Sequence, residues 1–194
     1  MNTSDATGRP DHELIQGYLA GDINAFEQLY ERYKRQLYSY LNKMLSDQHS
    51  AVDDIFQQVW IKALSKLPEY KNQDRFLGWL LRIAHNMTID YFRRNRKWQN
   101  QVQFDSEDAP EIKDEREEAA WQRMDKVEIN RALSSALEKI QPELREVFLM
   151  RQEQLSFKEI AELQGCSINT ALARMQYALK NLKKYMMEWN TGGN

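Results

Sequence analysis

Glycine, proline, cysteine and histidine are all scarce in this chain. Seven glycines and four prolines in 194 residues leave few turn formers. Apolar residues recur every three or four positions almost throughout, so the expected fold class is all-α. A single cysteine, Cys166, excludes a disulfide scaffold and a cysteine-based zinc site, and it points to a reducing compartment. Its simplest role is that of a small buried apolar residue. The three histidines, His12, His49 and His85, show no ligand spacing, and no glycine-rich phosphate loop is present. The pattern therefore gives no support to an enzyme, a metal site or any other cofactor. No apolar run approaches the length of a membrane span, and the N-terminal MNTSDATGRPDHE lacks a signal-type apolar core. A soluble, cytoplasmic protein is expected. A net charge of −2 gives no global basic field, so any nucleic-acid binding must come from local patches.

What is present is organised around the stretch from Phe76 to Lys97, FLGWLLRIAHNMTIDYFRRNRK. It reads as one helix whose core face is Phe76, Leu80, Ile83, Ala84, Met87 and Tyr91. Arg82, Asn86, Arg93 and Lys97 fall on a stripe on the far side, bordered by Trp79, with Arg94 and Arg96 near the end. Cations suit phosphates, an amide suits a base edge, and an aromatic ring suits an unstacked base. A solvated basic surface helix would show the same pattern.

Before it, the spacing predicts a helix from Asp11, a turn at Gly21-Asp22, and a helix over about Ile23 to Leu45. In the latter Phe26, Leu29, Tyr30, Tyr33, Leu37, Tyr38 and Leu41 are read as core. Ala51 to Leu67 forms a further helix with an apolar arc of Val52, Ile55, Phe56, Val59, Trp60 and Ala63. Asp54, Gln57, Gln58 and Ile61 lie on its other side, and an exposed Ile among polar residues hints at a protein contact. Pro68 stops that helix, and a polar loop with Tyr70, Lys71 and Arg75 follows.

After Trp98 the composition changes. Residues 99–118 are rich in acids and contain Pro110, which reads as a solvated linker between an N-terminal domain, 11–98, and a C-terminal one, 119–189. Helix resumes near Glu117 and runs to Ile140, and Pro142 restarts it. Ser156 with Glu159 forms a capping box, Gly165 ends the short helix that follows, and Ser167 caps another running to about Trp189. Two helices across a short Gly-containing turn make a helix-turn-helix pattern. Its second helix is expected to bury Ile168, Ala171, Met175, Ala178, Leu179 and Leu182. It would present Asn169, Thr170, Ala173, Arg174, Gln176, Tyr177, Lys180 and Lys184 outward, as a DNA-reading helix does.

These residues together resemble the sigma factors of bacterial RNA polymerase, in particular the extracytoplasmic-function (ECF) group, which keeps only the second and fourth regions. The resemblance covers about Asp11 to Tyr185. It is carried by Leu19-Ala-Gly-Asp22 with Ala25-Phe26 and Leu29-Tyr30, by Asp53 to Trp60, by Phe76 to Arg94 and by Ser156 to Leu182. It implies a factor that binds core RNA polymerase and directs it to promoter DNA, as duplex and as melted non-template strand. It implies polymerase binding by Asp54, Gln57, Gln58 and Ile61. Minus-ten contacts would come from Tyr70, Lys71, Trp79, Arg82, Asn86, Arg93, Arg94 and Lys97. Minus-thirty-five contacts would come from Ser167, Asn169, Thr170, Arg174, Gln176, Tyr177 and Lys180. Many such factors are held by an anti-sigma partner. This chain has Leu172 and Tyr177 where the family commonly has basic residues, which implies a smaller phosphate contribution. The rival readings are a helix-turn-helix regulator that acts without polymerase and an adaptor that only binds a regulator protein.

Overall fold

The computed structural model describes residues 9–45, 48–71, 76–95 and 125–191. Among them the secondary structure is entirely helical: α1 (Asp11–Leu19), α2 (Ile23–Leu45), α3 (His49–Lys66), a 3-10 turn at Leu67–Glu69, α4 (Phe76–Arg94), α5 (Lys126–Lys139), α6 (Pro142–Gln152), α7 (Phe157–Gln164) and α8 (Ile168–Thr191). The chain separates into two compact units, Met1–Tyr91 and Phe92–Asn194. The division falls within the last turn of α4. The tail up to Gly8, Arg75, Arg96, Lys97 and the expected linker, 99–118, lie outside the described residues.

In the first unit α2 packs against both α1 and α3. Leucines at helical spacing, Leu29, Leu37 and Leu41, are fully buried along α2, against Leu14 and Ile15 of α1 and Val52, Ile55 and Val59 of α3. Burying such side chains contributes about 1.5–3 kcal/mol each. Where α1 and α2 cross, a Cβ on Gly17 would stand 3.1 Å from that of Ala25, a tight approach that glycine eases. Asp11 ties the two helices by accepting from Arg32 and from the Tyr33 hydroxyl. Burial, aided by that carboxylate, holds the Tyr33 phenol well above its ordinary pKa.

The aromatics of α2 depart from the expected core role. Phe26, Tyr30 and Tyr33 are half-buried and Tyr38 is exposed. The leucines occupy the line facing the neighbouring helices, which leaves the rings on its flanks. Helix α4 departs in the other direction, with a buried arc wider than its expected face. Leu81, His85, Thr88, Ile89 and Phe92 are buried with Phe76, Leu80, Ile83 and Ala84, while Met87 and Tyr91 are only half-buried. The Tyr91 hydroxyl donates to the side chain of Gln48, just before α3.

In the second unit α8 packs on α5, α6 and α7. Helix α5 starts later than the spacing suggested. Asp125 is extended and its carboxylate accepts from Val127 and Glu128 N–H at 2.8 Å, while Glu128 reaches back to the Asp125 N–H. A helix from Glu117 cannot run through that extended residue. Ser156 and Glu159 form the expected second capping box. Gly165 sits at φ +61, the left-handed geometry that ends a helix and that a residue with a Cβ resists. Buried Arg145 donates to the carbonyls of Glu138 and Ile140, satisfying the C-terminal end of α5.

Candidate polymerase and nucleic-acid surfaces

Helix α3 separates its two faces cleanly. Val52, Ile55, Val59, Trp60 and Ala63 are buried, and Asp54, Gln57, Gln58 and Ile61 are all exposed. Ile61 is 66% exposed, although it is apolar. The structure therefore brings the four expected polymerase-binding residues onto one open face. Beside them runs an open groove of about 770 Å³, lined by Tyr30, Lys34, Tyr38, Asp53, Phe56 and Gln57 among others. Sequence reasoning missed it because it placed Tyr30, Tyr38 and Phe56 in the core. The Tyr38 hydroxyl donates to Asp53 at 3.0 Å, and that bond raises its pKa. The Phe56 ring lies 5.4 Å from that of Tyr38 and 6.2 Å from that of Tyr30.

The second surface is on α4. Asn86, Arg93 and Arg94 are exposed and Arg82 is half-buried. Asp90 is exposed between Asn86 and Arg93, so a carboxylate interrupts the expected stripe of cations and amide. Lys71 is exposed in the loop before α4, whereas Lys97 lies outside the described residues. Tyr70 and Trp79 come together with ring centroids 5.0 Å apart, both against buried Phe76 at 5.7 and 5.4 Å. The half-buried Tyr70 and Trp79 rings are thus backed by the buried Phe76 ring, and Arg82 and Asn86 follow Trp79 along α4 at helical spacing.

The third surface is the outer face of α8. Its N-terminus is capped by Ser167, whose oxygen accepts the Thr170 N–H at 3.0 Å and lies 2.8 Å from the Thr170 hydroxyl. Two of the expected DNA contacts are therefore engaged in the cap. Asn169, Gln176 and Lys180 are exposed, and Tyr177 is half-buried.

Arg174 does not point outward as expected. It is 8% exposed, and its guanidinium donates to Gln164 Oε1 at 2.8 Å. The Gln164 amide in turn donates to Glu146 Oε2 at 2.9 Å and to the Glu143 carbonyl at 3.0 Å. Glu146 is 0% exposed, so the arginine is held inward by a buried carboxylate relayed through an amide. Burial raises the pKa of the neighbouring Glu143, and the Arg174 charge partly opposes that rise. Ala173 is also buried, while Ile168 and Leu179, expected inside, are exposed.

Two parts of the chain match known families. Residues 29–98 match sigma-70 region 2 and residues 130–182 match sigma-70, region 4. The chain belongs to the sigma-70 family of RNA polymerase sigma factors, in its ECF group. The RNA polymerase sigma factor YlaC of Bacillus subtilis is 28% identical over 164 residues, which cover 84% of this chain and 92% of that relative. The ECF RNA polymerase sigma factor BldN of Streptomyces coelicolor is 27% identical over 177 residues, covering 90% of this chain and 65% of its own length. Among solved structures, the sigma factor RpoE of Bartonella quintana, crystallised with the anti-sigma factor NepR, aligns with a TM-score of 0.62 at 18% identity. That alignment covers 85% of this chain and 98% of that one, and it shows the shared fold. The helices α2 to α4 are thus the sigma-70 region 2 of this ECF factor, and α5 to α8 its region 4. No helix among the described residues is long and apolar enough to cross a membrane.

Proposed function

We propose that this ECF sigma factor works in the cytoplasm. It binds core RNA polymerase through the open face of α3, and it captures a base of the melted non-template strand beside Asn86. The observation that carries the second part is the Tyr70–Trp79 ring pair, with exposed Asn86 about two turns after Trp79 on α4. A carboxamide both donates and accepts, so it suits a base edge, and the rings can take the place of lost base stacking. Binding energy at such a site offsets the few kcal/mol that unstacking costs. Arg93 and Arg94 follow the backbone and supply the salt-dependent part of the affinity. Region 4 reads the minus-thirty-five element with the outer face of α8. Residues 99–118 link the two readers, so polymerase turns them into a bivalent ligand by fixing their spacing. The factor acts through polymerase rather than by chemistry of its own, and an anti-sigma factor is its expected regulator.

Co-purification with core polymerase followed by run-off transcription tests this reading against a regulator that acts on duplex DNA alone and against an adaptor. Permanganate footprinting then tests the site. Asn86→Ala should leave duplex affinity nearly intact yet lose open-complex formation and minus-ten selectivity. An Asn86→Ala factor that melts duplex promoters with unchanged sequence preference would reduce Asn86 to a surface amide.

A further inference from the structure

The outer face of α8 has a composition that differs from a phosphate-gripping helix. Its exposed line is Asn169, Leu172, Gln176, then Leu179 and Lys180, at steps of three and four residues. From Ile168 to Leu179 the only cation is Arg174, which lies roughly 160° around the helix from Leu172 at 100° per residue. That cation is turned in onto Gln164, whose amide in turn meets the buried Glu146. The first exposed cation is Lys180, three turns in. At the N-terminal end, where a helix-turn-helix meets base edges, the outward face is therefore amide, hydrocarbon, amide.

Each of these groups has a preferred partner in the major groove. Guanine offers two acceptors, best met by Arg or Lys, and no such side chain is presented here. Asn and Gln pair in bidentate fashion with the N6 and N7 of adenine. A hydrocarbon finds one hydrocarbon in the groove, the C5-methyl of thymine. Leu172 is 40% exposed and stands between the two amides, outside the core.

We infer that Leu172 is a specificity-determining residue that reads a thymine methyl in an A·T-containing minus-thirty-five element, with Asn169 and Gln176 reading flanking adenines. This inference rests on region 4 being the minus-thirty-five reader. It predicts a weak salt dependence for this helix, because discrimination comes from methyl burial and amide bonds rather than from counterion release.

The test uses the full chain with core RNA polymerase and a duplex library randomised over the upstream and downstream promoter elements, selected by run-off transcription. In the best selected promoter, deoxyuridine then replaces each upstream thymidine in turn, which removes only a methyl. One such replacement should weaken promoter binding by roughly fourfold, the effect of one buried methyl. Leu172→Ala should lower affinity for the thymine promoter by a similar factor and abolish the response to that replacement. Leu172→Arg should shift the selected base there towards guanine. Thermal unfolding shows that the variants are folded. Three outcomes would overturn the inference: an upstream element that is required but built of G·C pairs, a wild-type factor indifferent to every replacement, or an unchanged response in Leu172→Ala. The last, with intact DNA binding, would make the apolar line a protein-docking face. Transcription indifferent to the whole upstream sequence would instead remove the minus-thirty-five reading itself, and so is distinguishable from failure of the Leu172 assignment.

Discussion

Helices α4 and α8 are the two expected to meet promoter DNA, and they place their arginines oppositely. In α4 the buried arc is apolar except for His85 and Thr88 and holds no acid, and Arg93 and Arg94 are exposed. In α8 a buried acid, Glu146, stands beneath the helix and an arginine is drawn in to offset it. The same residue type thus stands exposed to meet phosphate in the proposed role of one helix and takes part in packing in the other. The element underneath decides which.

The comparison is broken most severely by Glu146→Ala. It would remove the buried acceptor of the Gln164 amide and the negative charge behind Arg174, and should destabilise the second unit by about 1–3 kcal/mol, read as a lowered urea midpoint for that unit's transition. Arg174→Ala should also destabilise it, whereas Arg93→Ala should leave unfolding almost unchanged. Equal, small effects for both arginines would erase the contrast.

That contrast also marks the limit of what could be read from the chain. Caps and turns are local chemistry, so the starts of α7 and α8 and the glycine at Gly165 were legible from Ser156, Glu159, Gly165 and Ser167. The open face of α3 was legible because Asp54, Gln57 and Gln58 fall together at helical spacing opposite the apolar arc, with Ile61 on the same line. Arg174 was not, because what pulls it inward lies on α6, and no periodicity within α8 reports a buried carboxylate 28 positions away. A signal did exist: Glu146 interrupts an apolar run between Leu144 and Met150, and an acid inside such a run needs a cationic or amide partner. The groove beside α3 was misread for a related reason. Periodicity assigns an aromatic to the inward half of a helix but does not say whether it sits at the centre or the edge.

The next effect in size is on association. Asp54→Lys with Gln58→Ala should weaken binding to core polymerase about tenfold while the helical content and melting temperature hold, since both side chains are exposed. Unchanged co-purification would move the polymerase contact elsewhere, with the neighbouring α2–α3 groove as the next place to test. Gly165→Ala should cost about 1 kcal/mol through its left-handed backbone, even though a Cβ there meets nothing within 4 Å. Circular dichroism melts would register it, and a neutral outcome would mean that the turn relaxes.

Smaller still are the effects on α4, which sharpen the comparison from its outward side. Arg93→Ala should weaken binding to all DNA sequences alike and reduce the salt slope by about 1, seen in titrations at several salt concentrations. Asn86→Ala should change stability by less than about 0.5 kcal/mol in denaturant unfolding, because its side chain is exposed and lies away from the buried arc. A larger loss would mean that the amide holds structure.

The inward turn of Arg174 has a consequence for how such a protein can change over generations. The Arg174 charge is inside, and Asn169, Leu172 and Gln176 stand exposed on the outer face. Substitutions along that line are close to neutral for stability, so they can accumulate and be selected for a new promoter without first acquiring a compensating stabiliser. Descendants of one gene could diverge in regulon while sharing an unaltered scaffold, provided Glu146, Gln164 and Arg174 stay together.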